Sequence, residues 1–147
     1  MVENPESTRL PHRAAVVARV DEMVRSGATP AVFAVEITGF GALSGSDPDD
    51  AHRAVREVES RLDSIVRGRD VLGFEPPARF LLGCSSLAPE RAGGLLDRIR
   101  SGAAFPVDIG GEPVSLLIDV GAAYFSTGAT GASLVDDAET DLRRFAG

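Results

Sequence analysis

The sequence contains no lysine, and all 15 of its cationic side chains are arginine. Against 22 acidic residues they leave a net charge of −7 and a pI near 4.8, which argues against a general nucleic-acid binder, since such proteins present a basic face. Any anionic ligand must therefore be held by a local arginine cluster. A single cysteine, Cys84, excludes an internal disulfide, and at the end of an apolar strand it reads as a small buried hydrophobe rather than a nucleophile. No apolar run approaches the roughly 20 residues that a membrane span needs. The opening Met-Val-Glu-Asn-Pro-Glu lacks the basic and apolar parts of a signal peptide. A cytoplasmic protein without membrane or nucleic-acid partners is the expectation. The two histidines, His12 and His52, have no cysteine or carboxylate at metal-ligand spacing and read as surface side chains, so neither metal nor cofactor is expected.

What is present specifies a folded chain. With 147 residues, 44% of them hydrophobic, and a clear periodicity, one domain over 1–147 (core about 5–146) can bury a core without disulfides. Val16, Val17, Val20, Met23 and Val24 mark a helix that Gly27 ends. Ala31 to Thr38 reads as a buried strand. Ser46-Asp47-Pro48-Asp49-Asp50 supplies a cap, a first-turn proline and acids for a helix whose stripe is Ala51, Val55, Val58, Leu62 and Ile65, stopping near Gly68. Two short strands, roughly 70–74 and 78–84, flank a Pro76-Pro77 turn. A helix from about Pro89 to Arg100 follows, weakened by Gly93-Gly94 and closed by Gly102.

Val107 and Ile109 then precede a Gly110-Gly111 turn, after which Val114, Leu116, Ile118 and Val120 alternate along one strand. Ser133 with Asp136 reads as a capping box for a last helix with Val135, Ala138, Leu142 and Phe145 inward. The fold class is α/β, an α+β sandwich: a βαββαβ core of ferredoxin or palm type, with a mostly antiparallel sheet flanked by helices on one face and extra elements at the ends.

Two tempting patterns lead nowhere. Asp47, Asp49 and Asp50 mimic the start of a calcium loop, but Pro48 and the missing downstream glycine and glutamate spoil it, and helix capping explains the acids. Gly39, Gly41 and Gly45 follow a strand without making the dinucleotide fingerprint.

The turn at Pro76-Pro77-Ala78-Arg79-Phe80 resembles the signature hairpin of the GGDEF family of bacterial diguanylate cyclases. The order of the other segments agrees. Thr8-Arg9-Leu10-Pro11-His12-Arg13 is similar to the family's Thr-Gly-Leu-Pro-Asn-Arg opening, and Glu36-Ile37-Thr38-Gly39-Phe40 to its Asp-Ile-Asp-x-Phe strand end. Asp119-Val120-Gly121-Ala122-Ala123 is similar to its Ser-Ile-Gly-Ile-Ala strand, and Ser133 to Phe145 to its closing helix.

The departures fall where the resemblance would place chemistry. Glycines let a backbone approach phosphates and offer N–H donors, and Pro76 and Pro77 do neither. Ala78 stands where the family has a metal-ligating carboxylate, next to Arg79. Only Glu36 keeps a possible metal ligand. The guanine-reading positions hold Ser44 and, after a one-residue gap, His52, and the lysine near the phosphates has no counterpart. The expectation is a degenerate domain with no catalytic residues and no metal.

Arg67-Gly68-Arg69-Asp70 keeps an Arg-x-x-Asp pattern in the register at which the family's inhibitory site binds cyclic di-GMP, and Arg98 matches a further arginine used there. Guanidinium groups fork onto phosphate oxygens or the guanine O6/N7 edge, and an aspartate can accept from guanine N1 and N2. The plainer reading is a solvated Arg/Asp couple beyond a helix end. Three functions stay open: an inactive regulatory module that binds cyclic di-GMP through Arg67, Asp70 and Arg98; a module that dimerises or docks on a protein partner without a nucleotide; and an enzyme on another nucleotide, with Glu36 and Arg79 as its polar remnants.

Overall fold

The computed structural model describes residues 10–41, 45, 47–85, 89–103, 106–109 and 111–146. In chain order its elements are α1 (Arg13–Arg25), β1 (Ala31–Ile37), α2 (Pro48–Asp63), β2 (Val71–Glu75), β3 (Arg79–Cys84), α3 (Pro89–Ala103), β4 (Pro106–Ile109), β5 (Glu112–Ser115), β6 (Ile118–Tyr124) and α4 (Gly131–Ala146). Four strands form one sheet in the order β2-β3-β1-β6, and each neighbouring pair is antiparallel. This is the expected α+β architecture.

Strand β1 is apolar except for Glu36, a pattern that suits a central strand covered on both faces. Alternate side chains serve two cores. Phe33, Val35, Phe80 and Leu82 pack with Val55, Val58 and Leu62 of α2 and Ile99 of α3. Val32, Ala34 and Leu81 pack with Val16, Val20 and Met23 of α1 and Leu134, Val135, Ala138 and Leu142 of α4. The helices therefore lie on both faces, not on one. The terminal elements are structural halves of the sandwich, because the sheet's second apolar face needs a cover as much as its first.

Helix starts follow from side chains that satisfy free N–H groups. Asp47 caps α2 by accepting from the Asp49 N–H at 3.0 Å, with Pro48 in the first turn, which confirms helix capping as the role of that acidic run. The box on α4 sits one turn earlier than Ser133 and Asp136: the Thr130 Oγ1 accepts from the Ser133 N–H at 3.1 Å and the Ser133 Oγ from the Thr130 N–H at 2.8 Å. Helix α1 ends at Gly27, whose φ of 90° favours glycine.

Close approach of backbones fixes two more glycines. A Cβ on Gly121 would stand 2.2 Å from the Ala138 carbonyl oxygen and 2.3 Å from the Leu142 nitrogen, so α4 lies directly on β6. A Cβ on Gly73 would meet Val16 Cγ2 at 2.2 Å, and the Phe74 N–H donates to the Pro11 carbonyl at 2.9 Å. This contact seats the start of α1 over β2.

The strand expected to run through Val114, Leu116, Ile118 and Val120 is divided. Val114 belongs to a separate β4-β5 hairpin, and β6 begins at Ile118. Between them Leu116 turns into the core while Leu117 is 65% exposed, and the Thr38 N–H takes the Leu117 carbonyl at 2.9 Å.

Candidate functional site

Register places a row of charge at one end of the sheet. Glu75, Arg79, Glu36 and Asp119 are cross-strand partners on β2, β3, β1 and β6 in turn. Alternation turns this row toward α1 and α4, because Val32, Ala34 and Leu81 point to that face. Arg79 Nη1 donates to Glu139 Oε2 of α4 at 2.8 Å, and Nη2 donates to Glu36 Oε1 at 3.2 Å. Glu75 Oε1 lies 3.5 Å from Nη1. Arg13 of α1 completes the network, its Nε 3.0 Å from Glu139 Oε1 and its Nη2 paired with Asp136.

Charge balance sets the protonation of this cluster. Burial opposes the Glu139 carboxylate, but hydrogen bonds from Arg79 and Arg13 outweigh it and hold the carboxyl below its ordinary value. Burial, followed by the neighbouring Glu139 charge, pushes Glu75 up. Arg79 titrates above its ordinary value: burial works against its charge, and Glu139 and Glu36 more than offset that. Its Nε is buried with no hydrogen-bond partner among the described residues.

The residues at this end do not fit the divalent cations that cyclase chemistry implies. The Glu36 carboxylate already has a guanidinium at hydrogen-bond distance. The Ala78 methyl is 2% exposed and joins the core on the α2 side, while its carbonyl accepts from the Ile37 N–H at 3.2 Å. Pro76 and Pro77 are exposed at the turn and offer no N–H. His52 sits half-buried on α2, across the sheet from Arg79, and Ser44 lies outside the described residues. Glu36 and Arg79 are thus brought together, and His52 is not brought to them.

Arg67, Asp70 and Arg98 do converge. They line one cavity of about 720 Å³ together with Ile65, Gly68, Arg69, Cys84, Ser85, Arg91, Gly94 and Leu95. The α2-β2 connection supplies one wall, the end of β3 the floor, and α3 the other wall. Asp70 shapes the loop: its Oδ2 accepts from the Arg67 N–H at 3.0 Å, its Oδ1 from the Ser85 N–H at 3.1 Å, and its own N–H donates to the Arg67 carbonyl at 2.7 Å. Cys84 is buried, and burial with the Asp70 charge pushes its thiol up to about 12.

Sequence reasoning missed Arg69 and Arg91 in this wall. The signal for Arg91 was available: residues 91, 94, 95 and 98 recur at the three- and four-residue spacing of one helix face. The Glu139, Glu75 and Arg13 partners of Arg79 were also missed, and only the tertiary fold joins them.

With the geometry known, the fold can be matched to solved structures. The GGDEF domain of YfiN from Pseudomonas aeruginosa superposes with a TM-score of 0.84 at 21% identity, covering 95% of this chain and 92% of that one. Diguanylate cyclase SiaD from the same organism, in complex with its activator SiaC, gives 0.82 at 25% identity over 92% of this chain, which spans 54% of the SiaD chain. The GGDEF domain of DgcB from Caulobacter crescentus, in complex with c-di-GMP, gives 0.81 at 17% identity over 98% of this chain and 91% of that one. No family model and no curated sequence matches the chain. By architecture the chain is a GGDEF-like domain.

Proposed function

We propose that this chain is a regulatory GGDEF-like module that binds cyclic di-GMP in the α2-β2/α3 pocket and does not cyclise GTP. The observation that carries the reading is the convergence of Arg67, Asp70 and Arg98, which are separated by up to 31 positions in sequence, on one cavity. Guanidinium groups there suit phosphate oxygens bidentately. The DgcB neighbour was solved with c-di-GMP, which supports this ligand class. The loss of catalysis rests on the other end of the sheet, where Arg79 engages Glu36, Ala78 is in the core and the prolines replace N–H donors.

Isothermal titration of the protein with cyclic di-GMP tests the reading, with GTP and magnesium in parallel. The expected result is saturable cyclic di-GMP binding that Arg67→Ala removes, and no turnover of GTP. Absence of binding to the wild type contradicts it.

A second reading, a docking or dimerising module without nucleotide, draws on Leu117 and Tyr124, 65% and 43% exposed at the two ends of β6. The SiaD neighbour, solved with its protein activator, lends it a precedent. It predicts self-association or partner capture that is indifferent to cyclic di-GMP.

A further inference from the structure

Strand β6 ends the sheet, and among the described strands it pairs only with β1. The Leu117 carbonyl is turned inward, where the Thr38 N–H takes it, while the Ala122 N–H is turned outward and donates to Asp141 Oδ2 of α4 at 2.9 Å. Antiparallel pairing directs alternate residues to opposite sides, so Ile118, Val120, Ala122 and Tyr124 all carry their N–H and C=O groups on the outer side. Of these groups only the Ala122 N–H has a hydrogen-bond partner among the described residues. The other edge is covered at the matching place, since the Phe74 N–H of β2 is taken by Pro11. A row of open donors and acceptors is a template for another strand.

Beside this edge runs one stripe of α4. Asp137, Thr140, Asp141 and Arg144 line, with Ala122, a cavity of about 220 Å³. The stripe is self-complementary about its own middle. A two-fold axis through Gly121, perpendicular to the sheet, sets Ile118 against Tyr124 and Val120 against Ala122 of a second copy, so every outward residue of β6 meets an outward residue. The same axis passes close to the centre of the stripe, because a Cβ on Gly121 would meet α4 between Ala138 and Leu142. Asp137 then faces Arg144 of the second copy, and Asp141 faces its Thr140 hydroxyl. Neither Asp137 nor Arg144 has an ion pair of its own among the described residues. On the strand, Asp119 stands opposite Ala123, so no carboxylate opposes its own copy.

Space and apolar surface agree with this arrangement. Helix α4 packs on β1 as well as β6, which sets the two copies of α4 roughly two strand spacings apart, on the order of 10 Å and within the ordinary distance between packed helices. Leu117 and Tyr124, the large hydrophobic side chains exposed among the described residues, lie at opposite ends of β6. Antiparallel pairing brings Leu117 of one copy beside Tyr124 of the other and covers both.

We infer that two copies of this chain associate through β6, antiparallel about Gly121, joining their sheets into one and pairing Asp137 with Arg144 across the two α4 helices. In the single chain Asp141 caps the edge; in the pair the Ala122 N–H passes to the Val120 carbonyl of the second copy and Asp141 turns to Thr140. An unrelated basic strand would suit the two carboxylates and leave Arg144 unmatched, whereas a second copy matches all four side chains. The inference rests on the docking reading above, to which it gives a partner and a surface, and it requires nothing of the Asp70 pocket.

Sedimentation equilibrium of the whole chain without nucleotide, from about 1 to 200 μM, tests it on the wild type, Asp137→Arg, Arg144→Asp, the double reversal and Arg67→Ala. Asp137 and Arg144 are exposed, and circular dichroism verifies that each variant folds. The expected wild type is dimeric in the upper part of this range, and each single reversal, which sets like charges against each other, raises the dimer dissociation constant at least about tenfold. The double reversal should return it to within about threefold of the wild type, and Arg67→Ala should leave it unchanged. A wild type that stays monomeric throughout, or single reversals that the double does not rescue, overturns the inference. A dimer indifferent to all the reversals overturns it too, but leaves the docking reading standing through another surface.

Discussion

Arg79 and Glu36 face each other across β3 and β1, with Nη2 3.2 Å from Oε1. A guanidinium thereby neutralises the Glu36 carboxylate. The same guanidinium reaches Glu139 at 2.8 Å, so this end of the sheet is held by an internal salt bridge to α4. Arg67, Arg69, Arg91 and Arg98 lie elsewhere, around the Asp70 loop and α3.

Removing Arg79 should destabilise the fold. Glu139 keeps only 9% of its side-chain surface in contact with water, and Arg79→Ala leaves it with Arg13 as its sole cationic partner among the described residues. The expected loss is about 3 kcal/mol, the range for breaking one side of a buried pair. Urea unfolding measures it, and the double variant Arg79→Ala/Glu139→Ala should cost less than the sum of the two single variants.

Stability should depend on pH with opposite signs at Glu139 and Glu75. The Glu139 value is lowered on folding, so its contribution is present above the ordinary carboxyl range near 4.3 and is lost as pH falls through the folded value. Glu75 is raised on folding by burial and the Glu139 charge, so its contribution is present at low pH and shrinks as pH rises through the folded value. Urea midpoints from pH 3 to pH 7 should show the deficit of Glu139→Gln growing with pH, and Glu75→Gln gaining on the wild type over the same interval. Parallel curves would contradict both assignments.

Two glycines should respond in opposite directions to alanine. Gly121→Ala drives a methyl into the α4 backbone and should cost at least the upper end of the about 1–3 kcal/mol typical of overpacking. Gly93 is exposed within α3 with open space at its Cβ position, and Gly93→Ala should add up to about 1 kcal/mol through helix propensity. Thermal melts of the two variants check this.

Cys84 should react slowly in the folded protein. With its thiol raised to about 12, the thiolate fraction at pH 8 is on the order of 10⁻⁴, and the side chain is 5% exposed. Thiol titration should show reaction that is slow in buffer and prompt in denaturant. Reaction in buffer at the rate of a free cysteine would contradict the buried assignment.

Much of the fold was legible because its signals are periodic. Val16, Val20 and Met23 on α1 and Ala51, Val55, Val58 and Leu62 on α2 are the buried stripes that their spacing indicates. The two-sided cover was also available in the apolar run Ala31–Val35 of β1, which outweighs the one-face expectation of a ferredoxin-type order. The break at Leu116 and Leu117 was not legible, since alternation continues through it and a single carbonyl taken by Thr38 redirects the chain. At the pocket, Arg67, Asp70 and Arg98 were visible through local pattern and register, whereas Arg91 was obscured by a sequence in which every cation is arginine. The Arg79 network joins residues from Arg13 to Glu139, and no local pattern reports such a cluster.

We propose a ligand pocket at Asp70 and α3 that is separate from the salt-bridge network at Arg79. Amide chemical-shift mapping by NMR during addition of cyclic di-GMP tests it most directly. The expected result is a set of shifts confined to residues 65–70, 84–85 and 91–98, with Glu36, Glu75 and Arg79 unmoved. Shifts centred on Glu36 and Arg79, with the Asp70 loop silent, would contradict it.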